Sequence, residues 1–166
     1  MSRERAPVLI LGLGNPWWRD DGVGPAAVEA LGRHPLPPGV ELLDGGTGGL
    51  ALLDCIAGRE HLLVIDAADL EEAPGTVRRI LLEEAVLQRN DGTLSFHQAG
   101  LAEVLDLARR LDLAPRNVYL FVVQPARLEP GQGLSVEVQA GLAELLDLVC
   151  RTLEVLIPAR AGSEGG

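Results

Sequence analysis

The 166-residue sequence predicts an α/β fold. The expected form is a three-layer α/β/α single domain. Its twisted, mostly parallel sheet has five strands, one of them antiparallel, and helices on both faces. Three observations predict it. Short, near-continuous apolar runs recur at Val8–Leu13, Leu62–Ile65 and Val118–Val123. Each is bounded by Gly, Asp, Asn or Pro, which is how strands buried on both faces read. Amphipathic stretches of helical period lie between them. The resulting order, β-α-β-α-β-β-α-β-α, indicates a layered α/β domain.

Val8–Leu13 opens the sheet. Val23, Ala26, Ala27, Ala30 and Leu31 then form one helical face. Asp20 or Asp21 is placed to cap that helix, and Pro25 is tolerable in its first turn. Val40–Leu43 is a weaker second strand, and Leu50, Leu53 and Ala57 mark the second helix. After the third strand, Leu62–Ile65, the run Thr76–Leu82 is more polar and reads as an edge strand. Only about ten residues separate the two, too few for a helical crossover, so the fourth strand is expected to run antiparallel. Leu101, Val104, Leu105 and Ala108 define a third helix, and Val118–Val123 the last strand. Leu142, Leu145, Leu146, Val149, Leu153 and Leu156 give the longest helix. Residues 1–158 read as one domain, and 159–166 as a disordered tail.

Composition narrows the function classes. Fourteen basic residues face 24 acidic ones, for a net charge of −10, and 47% of the residues are hydrophobic. That is enough apolar content for a core. The acidic balance counts against a nucleic-acid partner, which requires a basic stripe, and against an anionic membrane surface. Two cysteines, Cys55 and Cys150, form no CxxC or disulfide framework, so a cytoplasmic location is expected. Both lie beside apolar helical positions, where packing is the expected role. No apolar run reaches the ~20 residues of a membrane helix, and Val8–Leu13 is too short for a signal-peptide core.

Ligands of such sheets bind beyond the carboxyl ends of the strands. There the sequence places Gly14, Asn15, Asp20 and Asp21 after the first strand, and Asp44, Gly45, Gly46 and Thr47 after the second. Asp66 follows the third and Gln124 the last. His97, in a loop before the third helix, can reach the same rim. The first loop carries a G-x-G but lacks the third glycine of a dinucleotide fingerprint, and its aspartate pair competes with a phosphate for the helix N-terminus. Taken singly, Asp21 reads as a helix cap and Asp66 as a turn residue. Taken with His97, the two carboxylates and one imidazole suit a borderline divalent metal with open coordination positions. His34 and His61 read as structural or solvated. No GxSxG elbow and no HExxH is present. Trp17 and Trp18 suit either partner contact or packing under the sheet edge.

Six ordered segments carry a family resemblance: L-G-L-G-N-P-W-W-R-D-D-G-V-G from Leu11, L-L-D-G-G-T-G-G-L from Leu42, H-L-L-V-I-D-A-A-D from His61, A-P-G-T from Ala73, F-H-Q-A-G-L-A-E-V-L from Phe96 and L-E-P-G-Q-G-L-S from Leu128. The chain closely resembles the hydrogenase maturation endopeptidases, which trim the C-terminal extension from the nickel-containing large subunit of [NiFe] hydrogenase. The resemblance implies that Asp21, Asp66 and His97 are the metal-binding and catalytic trio. Asp21 stands where the family often has glutamate. The resemblance also implies that Asp44, Gly45, Gly46 and Thr47 take part in substrate selection, and that the protein partner is the [NiFe] hydrogenase large-subunit precursor. Nickel is expected to arrive with that substrate, because three ligands on separate loops make a weak resting site. Trp17 and Trp18 replace the aliphatic residues usual there. Two other classes remain: a non-catalytic nickel-dependent docking or chaperone module, and a peptidyl-tRNA hydrolase-like esterase. The second shares the opening G-L-G-N-P. It would require a histidine-asparagine pair after that motif, where this chain has R-D-D-G-V-G.

Overall fold

The computed structural model describes residues 5–82 and 96–158. The proposed tail, 159–166, lies outside the described residues. Five strands form one sheet: β1 (Val8–Gly12), β2 (Val40–Asp44), β3 (His61–Ala67), β4 (Val77–Leu81) and β5 (Asn117–Val123). Their spatial order is β2-β1-β3-β5-β4. The three pairings among β2, β1, β3 and β5 are parallel, and β4 lies antiparallel against β5 at the edge. The short β3–β4 connection thus gives the reversed strand it predicted.

The helices are α1 (Val23–Gly32), α2 (Leu52–Ile56), α3 (Phe96–Arg110) and α4 (Val136–Leu156). Side chains of a strand alternate between faces, and that alternation sorts the core. Val8, Ile10, Leu63, Ile65 and Phe121 pack with Ala27 and Leu31 of α1 and with Leu145 and Val149 of α4. Leu9, Leu11, Leu62, Val64 and Leu120 pack on the opposite face with Ile56 of α2 and Leu101 and Leu105 of α3. Every residue of β1 is buried, as its unbroken apolar run requires.

Three local expectations are corrected. β3 continues through Asp66 to Ala67, so Asp66 lies inside a strand, with 1% of its surface exposed, and not in a turn after it. α2 begins at Leu52; Leu50 is 69% exposed, because the glycines at 45, 46, 48 and 49 keep the chain irregular until then. The buried positions of α2 are Leu52 and Ile56, one helical repeat apart. Cys150 is exposed, so packing does not account for it, whereas Cys55 is half-buried. Among the described residues no helix is long and apolar enough to cross a membrane.

Candidate functional site

The loop that leaves β1 positions the first carboxylate. Gly14 turns it with a φ of +132°, and a Cβ there would lie 1.8 Å from the carbonyl oxygen of Asp21. Gly24, in the first turn of α1, approaches as closely: its Cβ would fall 2.2 Å from the Leu13 oxygen and 2.7 Å from that of Ile65. The glycines that look like part of a nucleotide loop therefore press α1 onto the ends of β1 and β3. A single 3₁₀ turn, Arg19–Gly22, holds Asp21, and the Asn15 N–H donates to Asp21 Oδ2 at 2.8 Å. Neither aspartate caps α1. Its N-cap is Gly22, without a side-chain cap, because both carboxylates are engaged elsewhere.

Asp66 comes from the end of β3 and His97 from the start of α3. His97 lies on the helix itself, not in the loop expected before it. His97 Nδ1 lies 3.4 Å from Asp66 Oδ1 and 3.7 Å from Asp21 Oδ1. One ligand atom from each of the three residues lies within 4.8 Å of the others, a spread that a single cation can gather. Asp66 forms the buried floor; Asp21 and His97 are 16% and 14% exposed, so an incoming group meets them first. The Asp66 carboxylate, an acceptor at the outer limit of hydrogen-bond reach, raises the His97 pKa above the ordinary imidazole value. Burial opposes this, and the charges of Asp66 and Asp21 add to it. Nδ1 is nonetheless shielded from solvent and lacks a well-formed hydrogen bond among the described residues. A buried ring nitrogen left so beside two carboxylates fits a cation ligand.

Asp44 ends β2 and stands apart from the trio. It is exposed, and its Oδ1 accepts the Gly46 N–H at 2.9 Å. With Pro16, Arg19, Pro25 and Leu134 it lines an open hollow of about 440 Å³. Two backbone bonds tie its loop to the one carrying Asp21: Gly45 N–H to the Gly12 oxygen at 2.8 Å, and Gly14 N–H to the Gly46 oxygen at 2.7 Å. Thr47 is exposed on the same loop. His34 is exposed, and His61 pairs with Asn117 at the far end of β3. Trp17 and Trp18 do not pack under the sheet edge: they are 64% and 43% exposed.

Asp20 and Gln124, placed on the rim by the sequence, prove to be polar anchors, a role their positions alone did not reveal. Asp20 is fully buried and accepts from the backbone of Ser135 (2.6 Å), Arg127 (2.8 Å) and Ala126 (2.9 Å), and from the Ser135 hydroxyl (2.8 Å). Burial pushes its carboxyl pKa up, but these four donors outweigh it and hold the pKa below the ordinary value. Asp20 thereby clamps the 126–135 loop against the turn bearing Asp21. Gln124 does the same beyond β3, its Oε1 accepting the Leu70 N–H at 2.6 Å. The available signal for Asp20 was the doubled aspartate itself: one site needs one of the pair, which leaves the other to be explained.

Comparison with known proteins gives a consistent result. The family described as HycI, hydrogenase maturation protease, matches residues 25–152. The hydrogenase expression/formation protein HupD of Thiocapsa roseopersicina is 43% identical over 110 residues, covering 66% of this chain and 50% of that one. The hydrogenase 2 maturation protease of Escherichia coli is 45% identical over 104 residues, 61% of this chain and 63% of that one. The chain spans about half the length of most of the curated relatives it matches. Among solved structures, the hydrogenase maturating endopeptidase HybD from E. coli superposes with a TM-score of 0.83 at 38% identity, covering 93% of this chain and 94% of that one. The [NiFe] hydrogenase maturation protease HybD from Thermococcus kodakarensis gives 0.74 at 28% identity, covering 90% and 99%.

Proposed function

The chain belongs to the hydrogenase maturation protease family, and from that premise we propose that it is an endopeptidase acting on the nickel-loaded [NiFe] hydrogenase large-subunit precursor. It removes the C-terminal extension in a single cut. The observation that carries this reading is the convergence of Asp21, Asp66 and His97 within 4.8 Å. Nickel belongs to the substrate in this account: the precursor brings it, and the trio meets it.

Each residue then has a distinct task. Asp66, buried and fixed within β3, supplies the charge that anchors the cation. Asp21 has Oδ2 engaged by Asn15 and turns Oδ1 toward His97, where it can join the metal's ligands. His97 offers Nδ1 once that nitrogen is deprotonated, so proton and metal compete for the same atom. When bound, the metal can polarise the scissile carbonyl or activate water. The Asp44–Thr47 loop selects the precursor, through the exposed Asp44 carboxylate beside the hollow. The two free cysteines, Cys55 and Cys150, suit a cytoplasmic site of action.

Intact mass of the precursor after incubation tests the reading. The expected result is one shorter product from the nickel-loaded precursor and none from the nickel-free form. Binding without shortening would favour the docking module instead. Asp44→Asn is expected to change the relative kcat/KM for two different hydrogenase precursors by about 10-fold, since an interface charge acts mainly on partner choice. Because Asp44 is exposed, its urea midpoint should correspond to a stability change within about 0.5 kcal/mol. Unaltered preference would assign the loop a structural role only.

A further inference from the structure

We propose that Trp17 and Trp18 form the docking platform on which the precursor is recognised before its metal reaches the trio. This rests on the function proposed above and names the surface that serves it. The chain has only two tryptophans among 166 residues, and they are consecutive and both exposed. Exposed, adjacent indoles are the residue type most concentrated at binding hot spots.

The segment that presents them is held on both sides. Trp17 N–H donates to Asn15 Oδ1 at 3.0 Å, and Trp18 N–H to the Asn15 oxygen at 3.0 Å. The Trp17 oxygen accepts the Gly131 N–H at 2.9 Å, and Trp18 makes a parallel bridge to Gly131. Arg19, next in the chain, has a φ of 48°, the left-handed region that a side chain seldom occupies. Its side chain donates to the Gln132 oxygen at 2.7 Å. Two exposed indoles are therefore offered on a preorganised backbone, so little ordering remains to oppose binding.

Position identifies the occupant. Asn15, which holds Trp17, also donates its N–H to Asp21, so two hydrogen bonds connect the platform to the candidate cation site. Pro16 and Arg19, on either side of the pair, line the hollow that Asp44 also lines. The exposed Leu128 lies on the loop bonded to this turn, where the Arg127 oxygen accepts the Asp20 N–H. A precursor that delivers its metal to Asp21 and is sorted by Asp44 meets both indoles on the way. An anionic membrane is the poorer partner for a chain of net charge −10.

The test exploits the fact that both tryptophans lie in this one turn. The protein is labelled with fluorotryptophan, giving two fluorine resonances, and titrated with unlabelled nickel-free precursor. Both resonances are expected to shift or broaden. In parallel, Trp17→Ala and Trp18→Ala are each expected to raise KM for the nickel-loaded precursor about 10- to 100-fold, with kcat within about 2-fold of wild type. Resonances that stay unchanged at precursor concentrations that saturate cleavage would overturn the proposal, as would an unchanged KM. Shifts produced by concentrating the protein alone, without precursor, would assign the surface to a second copy of this chain and also overturn it. If the wild-type protein bound but did not cut, the resonances would still move, and only the protease reading would fail.

Discussion

His97→Ala is expected to lower kcat/KM for the nickel-loaded precursor by on the order of 10³-fold, equivalent to about 4 kcal/mol of transition-state stabilisation. Within the proposed trio His97 is the one neutral ligand, and the ring nitrogen left without a well-formed hydrogen bond in the structure is the atom lost. The side chain is 14% exposed at the start of a helix whose packing rests on Leu101, Val104, Leu105 and Ala108. Thermal unfolding should therefore stay within a few degrees of wild type, about 1 kcal/mol or less. Asp66 requires a gentler change. It is 1% exposed, and its Oδ1 accepts the Ala67 N–H at 2.9 Å. Asp66→Asn keeps the volume and removes the charge, and should lose activity as His97→Ala does. Processing retained in both variants would remove the trio from the reaction.

Asp20→Ala should produce the largest loss of stability, about 3–5 kcal/mol by urea denaturation. That is a substantial part of the 5–15 kcal/mol typical of a folded domain. The substitution leaves the part-buried backbone donors of Ala126, Arg127 and Ser135 without their acceptor and releases the loop that Ser135 begins to close into α4. The pH dependence carries its own sign. The folded pKa of Asp20 is depressed, so its stabilisation is fully present above the ordinary carboxylate pKa. It is lost as pH falls through the lower folded value. Asp20→Asn should remove that part of the acid dependence. A urea midpoint that matches wild type near neutrality would show that the clamp adds nothing.

Much of this arrangement was legible in the sequence, for identifiable reasons. β1, β3 and β5 are buried on both faces, so their apolar runs have no competing reading as amphipathic helix. The antiparallel β4 followed from connection length alone. The trio was legible because strand ends in such sheets converge on one rim, and Asp21, Asp66 and His97 come from three segments that reach it. Other features depend on contacts between distant segments. Asp20 looks like a helix cap until the 126–135 loop folds over it, more than a hundred residues later in the chain. Leu50 fits a helical face by spacing, but the glycines before it delay the helix. Asp66 reads as a turn residue because a carboxylate in a buried strand runs against burial preference, and its place opposite His97 is what explains it.

In the proposed function the precursor's nickel is met by Asp21, Asp66 and His97. Nickel X-ray absorption on the rapidly frozen complex of loaded precursor and protein tests it most directly. The nickel coordination shell is expected to change on complex formation, with added oxygen and imidazole scattering, and the imidazole component to be missing with His97→Ala. A nickel spectrum identical in free and bound precursor, in a sample that goes on to yield the shortened product, would contradict it.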